Sequence, residues 1–253
     1  MARPIRFDLT RRAVLGAGAA LFAGPGRAQV APLSVFAAAS LKPALDEIAT
    51  DWDGPVALSY GGSGTVARQV ASGAPADLVV LAATDWMDWL GGQGALAGSV
   101  QAVAGNRLVL AGPPGAAALT LTGAGIAARL GPAGRFAMGD PISVPAGRYG
   151  QQALETLGLW SDLRRRAILA ENVRAALAYV ARGDVDLGLV YRSDVRGTGA
   201  VEVAAVPTNT HQPIIYPAAI VRGASPQAGA FLAHLRAATP VFVRHGFDPV
   251  PAA

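Results

Sequence analysis

The feature that most constrains this chain is a repeated change of period after Leu33. "LSVFAAA" (Leu33–Ala39) reads as a buried strand and is followed by the helix-like "KPALDEIATDW". "VALSY" is a second strand, followed by a helix from Thr65 to about Ser72. "DLVVLAA" (Asp77–Ala83) is a third, followed by "TDWMDWL". Short apolar runs alternating with amphipathic stretches predict β-α-β-α-β-α and a parallel sheet covered on both faces. The pattern breaks at "AGPPGA" (Ala111–Ala116) and resumes with the strand "RFAMGD", the helices "GRYGQQALETLG" and "VRAALAYVARG", and the strand "LGLVY". "VEVAAVP" and "IIYPAAIV" read as strands, and "SPQAGAFLAHLRAA" as a terminal helix. Two α/β units in series predict two lobes and a cleft, with ligands at the carboxyl ends of the strands. No internal repeat is visible.

With 253 residues, of which 52% are hydrophobic and 15% charged, the chain can bury a sizeable core. Its start differs in character. "MARPIRFDLTRRAVLGAGAALFAGPGRAQ" has a basic opening, an apolar stretch and a small-residue exit, the layout of an export signal over residues 1–28 with a cut after Ala28. The pair Arg11–Arg12 gives it a twin-arginine character. Five arginines against Asp8 place the whole net charge of +4 inside this removable segment. The remainder is near neutral, which removes the main support for a nucleic-acid partner. Cysteine is absent, so disulfides and thiol chemistry are excluded.

Four loop-to-helix junctions share one character. Ser40 stands before a helix with Pro43 in its first turn, and Ser63 stands before another in "GGSGT". Pro145, Ala146 and Gly147 open a third in "VPAGRYG". Asn172 is the expected N-cap of a fourth that starts at Val173 and ends at Gly183. Each offers unpaired N–H groups and the positive end of a helix dipole, so four together describe a donor site for an anion. Any one alone reads better as a well-capped helix. A Walker loop fails, because Thr65 stands where the lysine would be. "GGSGT" approaches the G-x-S-x-G nucleophile elbow but again ends on Thr65, and His211, His234 and His245 lie in a loop, a helix and a helix end. A serine hydrolase built on Ser63 stays open as the alternative from another class. Asp85 and Asp88 in "TDWMDWL" share a helix face, with Trp86 and Trp89 on another, and are expected to serve solvation and packing.

The blocks "VFAAASL", "SYGGSGTVARQVASGAPADLVVLAATDWMDWL", "GDPISVPAGRYGQQAL", "ENVRAAL" and "LGLVYRSD" resemble the periplasmic molybdate-binding proteins of ABC importers, in the family's order and across nearly all of the chain after the signal. The resemblance implies an α/β, two-lobed periplasmic-binding-protein type II fold with a cleft between lobes joined by two crossover segments, expected near Val109–Gly112 and Val203–Pro207. The lobes would be residues 29–110 with 207–253, and residues 111–206. It implies that molybdate, and with it tungstate, is held by Ser40 and Ser63 through hydroxyl and backbone, Ala146 and Val173 through backbone N–H, and Tyr191 through its phenol. Molybdenum would enter only as the oxyanion, with no direct cation ligands. It implies a monomeric, periplasmic carrier with no catalytic residues and no cofactor, delivering to an ABC permease with its ATPase. A receptor for sulfate, thiosulfate or phosphate is the alternative within the binding class. Arg148 and Arg192 stand beside the site turns and leave their role open.

Overall fold

The computed structural model describes residues 31–250, so the expected export signal lies outside the described residues. Ten strands appear among them: β1 (Leu33–Ala38), β2 (Val56–Gly61), β3 (Leu78–Val80), β4 (Leu96–Asn106), β5 (Leu108–Gly112), β6 (Phe136–Gly139), β7 (Ala167–Ala170), β8 (Leu187–Tyr191), β9 (Val201–Ala205) and β10 (Ile214–Val221). The helices are α1 (Lys42–Thr50), α2 (Ser63–Ala71), α3 (Thr84–Gly92), α4 (Gly123–Leu130), α5 (Pro145–Thr156), α6 (Trp160–Leu163), α7 (Val173–Ala181), α8 (Arg192–Val195), α9 (Ala228–Ala237) and α10 (Thr239–Arg244). None is long and apolar enough to cross a membrane.

The strands form two five-stranded sheets, β2-β1-β3-β10-β4 and β7-β6-β8-β5-β9. Both follow one scheme. Three strands of the sheet's own unit lie in the order second, first, third. A strand arriving from the other unit comes next, and the unit's fourth strand closes the edge. The first three are parallel, because each α crossover returns the chain in the same direction. The arriving strand is antiparallel: β10 runs against β3 and β4, and β5 against β8 and β9. The wholly parallel sheet expected from the alternation is therefore a mixed sheet in each unit.

Two sequence signals hid this. The edge strand β4, "LAGSVQAVAGN", is exposed over its first half and carries small residues in place of an apolar pattern. β5, "LVLAG", falls where the first crossover was expected. Its five residues are all buried and pair on both sides, so Val109–Gly112 is a central strand and the chain passes between sheets at Arg107. Val203–Ala205 likewise belong to β9, and the return passage begins at Val206. α4 departs from the sequence pattern: Gly123 and Gly125 weaken its helix signal, and Thr122 Oγ1 caps it by accepting from Gly125 N at 3.1 Å.

β10 carries Pro217 in mid-strand. Proline has no N–H to give the ladder, and the register shifts there between Tyr216 and Pro217. The Pro217 carbonyl still accepts, from Leu81 N at 2.9 Å. The bulge sets the neighbouring Tyr216, which is fully buried, behind the cleft between the sheets.

Candidate functional site

The carboxyl ends of β1, β2, β6, β7 and β8 face one another, and each is followed by a helical turn. After β1 the chain enters a single 3-10 turn, Ala39–Leu41, that holds Ser40; α1 begins only at Lys42. After β2, Gly62 is the N-cap and Ser63 the first residue of α2. After β6, Val144 is the N-cap of α5, which opens with Pro145 and Ala146. After β7, Asn172 caps α7, its Oδ1 accepting from Ala175 N at 2.9 Å. Gly147 makes the third junction possible. A Cβ there would stand 2.1 Å from the Gly139 carbonyl oxygen, so only glycine lets the turn close on its own strand.

These turns line a small cavity of about 10 Å³. Ser40, Ser63, Ala146, Val173 and Tyr191 all line it, so the structure brings the five expected residues together. Gly61, Gly62, Ala82, Val144 and Asn172 complete much of the wall. No charged side chain lines it among the described residues. Asp140 and Glu171, the acids beside the second-sheet turns, do not reach it. Asp140 turns back to accept from Ile142 N, and Glu171 offers only its main chain near Gly62.

The hydrogen bonds behind the wall decide what the cavity can do. The backbone N–H of Ala82 donates to Ser63 Oγ at 3.0 Å. An N–H can only donate, so this bond takes a lone pair of Ser63 and leaves its proton for the cavity. Tyr191 is 1% exposed, and its hydroxyl has no partner among the described residues. Burial, with Tyr216, Tyr149 and Asp194 nearby, holds the phenol well above the ordinary tyrosine value, so it keeps its proton and remains a donor. The first-turn N–H groups of Ala146 and Val173 have no intrahelical acceptor. The arrangement presents donors on every side and no acceptor side chain aimed inward other than the Asn172 amide, whose oxygen is already engaged in the cap.

The cavity is shut between the two sheets. Gly64 N donates across it to the Ser143 carbonyl at 3.1 Å. A Cβ on Gly62 would stand 2.6 Å from the Glu171 carbonyl oxygen, so the two backbones meet there without room for a side chain. Arg148 and Arg192 do not line the cavity. Arg148 pairs with Asp85 of α3, so Asp85 is a partner across the cleft and not the merely solvated residue expected. Arg192 and Arg107 both hold Asp248, each pair at 2.7 to 2.8 Å.

A hydrolase needs a base beside Ser63. His211 lies tilted against the Tyr149 ring, His234 meets the Ile48 carbonyl, and His245 pairs with Glu47; none lines the cavity. Among the described residues no group of three metal-ligating side chains occurs.

Residues 33–248 match the family described as bacterial extracellular solute-binding protein. This chain belongs to that family. Members of the solute-binding family are carriers and not enzymes, and the relatives agree. The chain is 39% identical to the molybdate-binding protein ModA of Escherichia coli, covering 92% of this chain and 96% of that protein. It is 37% identical to the molybdate-binding protein ModA of Haemophilus influenzae, covering 91% and 96%. Its fold superposes on the periplasmic molybdate-binding protein of Azotobacter vinelandii with a TM-score of 0.76 and 27% identity, covering 87% of this chain and all of that one.

Proposed function

We propose that this solute-binding protein captures molybdate, and tungstate with it, in the cavity between its two sheets and delivers it to an ABC permease. The observation that carries the reading is the donor-only wall built around the unpartnered Tyr191 hydroxyl. Molybdate is a dianion with four acceptor oxygens and no proton. It wants donors on all sides and is repelled by any carboxylate. Monohydrogen phosphate carries a proton and wants an acceptor as well, which this wall does not offer. Ser40 and Ser63 donate through hydroxyl and backbone, Ala146 and Val173 through backbone N–H, and Tyr191 through its phenol. Each bond to the charged oxygens contributes on the order of 1.5–3 kcal/mol. Neutral dipoles suffice because they are buried and held in place by the fold.

The same donors suit sulfate, a smaller tetrahedral dianion, so discrimination falls to cavity size. The relatives at 39% and 37% identity are named for molybdate, which favours the larger anion. The chain acts as a monomer, exported by its N-terminal signal to the periplasm, and its permease partner works with an ATPase. Titration calorimetry against molybdate, tungstate, sulfate, thiosulfate and phosphate tests the reading. Saturable molybdate binding much tighter than sulfate binding is expected; equal or tighter sulfate binding overturns the specificity.

A further inference from the structure

Of the two serine donors of the cavity, Ser63 is oriented by a backbone N–H and Ser40 is not. Ser40 Oγ lies 3.0 Å from the hydroxyl of Tyr216, and either oxygen could donate. The direction follows from the next residue back. Asn106 closes β4 at the point where the chain leaves the first sheet, and it is buried. Its Oδ1 accepts from the backbone N–H of Arg107 at 2.9 Å. An N–H cannot accept, so this contact identifies the amide oxygen and leaves Nδ2 on the other side. Nδ2 then directs its two protons to Ser193 Oγ at 2.8 Å and to Tyr216 Oη at 3.0 Å. With its oxygen accepting from Asn106, Tyr216 has one proton to place, and Ser40 Oγ is its remaining hydrogen-bond partner among the described residues. Burial holds the Tyr216 phenol well above its ordinary value, so that proton stays in place.

We propose that Asn106 and Tyr216 are positioning residues that fix Ser40 as a donor: Asn106 donates to Tyr216, Tyr216 donates to Ser40, and the Ser40 proton is left to point into the cavity. Neither residue lines the cavity, so neither touches the anion. The relay supplies for Ser40 what the Ala82 N–H supplies for Ser63. A serine hydroxyl free to rotate could present a lone pair, which would repel a dianion and welcome a protonated one. The chain of bonds removes that choice before the ligand arrives. It also ties the donor to the passage between the sheets, since Asn106 and Tyr216 belong to the first sheet and Ser193 stands two residues beyond the end of the second sheet's β8.

The inference rests on the oxyanion reading above, and a double-mutant cycle separates the two. Calorimetry measures molybdate affinity in the wild type, Tyr216→Phe, Ser40→Ala and the double variant. Tyr216→Phe keeps the ring and removes the relay; it is expected to weaken molybdate about five- to tenfold in the wild type and less than twofold in the Ser40→Ala background. It is also expected to narrow the preference for molybdate over monohydrogen phosphate, a change that loose packing does not produce. Equal losses in both backgrounds, or no loss in the wild type, overturn the relay while leaving the function standing. If Tyr216→Phe does not fold, Asn106→Ala runs the same cycle with the same expected coupling. A wild type that binds a different oxyanion overturns the molybdate reading, and the cycle on that anion then decides the relay. A wild type that binds no oxyanion overturns both.

Discussion

Arg148 Nη2 donates to Asp85 Oδ1 at 2.8 Å, joining α5 of the second sheet's unit to α3 of the first across the mouth of the cleft. The same guanidinium also meets Asp85 Oδ2 through Nη1, so the contact is bidentate. Two groups on opposite walls can pair only when the walls are together. The pair therefore favours the shut form, but both side chains keep contact with water, which limits its strength. Exposed pairs contribute about 0.2–1 kcal/mol. Asp85→Ala should weaken molybdate about two- to fivefold at low salt. The gap between variant and wild type should close by about 0.5 M salt, where screening removes exposed pairs. A gap that persists at high salt would mean that Asp85 acts by another route.

Gly62 gives a steric version of the same test. Its backbone is extended and suits any residue, so alanine introduces no strain in the open form. In the shut form the new Cβ would meet the Glu171 carbonyl oxygen at 2.6 Å. A ligand shifts an open–shut equilibrium only by its preference for the shut state. Gly62→Ala should therefore lose tenfold or more in molybdate affinity, while the melting temperature of the free protein stays close to wild type. Small-angle scattering should show the wild type contracting with molybdate and the variant contracting less. An unchanged radius in the wild type would contradict closure by a hinge.

Tyr191→Phe isolates the phenol. The ring is retained against Tyr216, whose ring centroid lies 6.0 Å away, and one unpartnered buried hydroxyl is removed. Molybdate should weaken roughly ten- to a hundredfold, the loss of a bond of about 1.5–3 kcal/mol to a charged acceptor. The free protein should be as stable or slightly more so, since an unsatisfied buried donor has been deleted. Wild-type affinity in this variant would remove Tyr191 from the binding set and weaken the assignment of the other four.

Asp194 predicts a pH dependence of stability. It is fully buried, and neither oxygen has a hydrogen-bond partner of normal geometry among the described residues. Burial pushes its carboxyl up to about 7; Arg174 of α7, 3.9 Å away, and the Tyr191 main chain pull it back only in part. The buried phenols of Tyr191 and Tyr216 lie within the reach of its charge and stay neutral. The folded value lies above the unfolded one, so the native state holds the extra proton between about pH 4 and pH 7. This contribution is complete below the unfolded value and is lost as pH rises through the folded one, a difference on the order of 2–4 kcal/mol. Thermal melts of the ligand-free protein should show the wild type losing more stability than Asp194→Asn between pH 4.5 and pH 8. Parallel curves would place the proton elsewhere.

The alternation after Leu33 was enough to mark the α/β class and the parallel β1, β2 and β3. That follows because buried strands and amphipathic helices have different periods, and a crossover helix forces parallel return. The four junctions were legible for a similar reason. Asn172 as a cap, Pro145 in a first turn and Gly147 at a close approach are local requirements, written where they act. β4 and β5 were not legible: one is exposed and built of small residues, and the other joins two sheets, so its burial depends on strands far away in sequence.

The residue types at each turn, the near-neutral body of the chain and, by likeness to a family, the set Ser40, Ser63, Ala146, Val173 and Tyr191 are all written in the linear sequence. Only the tertiary structure decided that these five surround one cavity and which way their hydroxyls point. Tyr216 is 176 residues from Ser40 and Asn106 is 110 from Tyr216, yet their polar atoms are 3.0 Å apart. Hydrogen-bond direction passes through space from one group to the next, beginning at a backbone N–H that cannot accept. No local pattern records it, because each residue in the relay satisfies its own turn or strand equally well without the others.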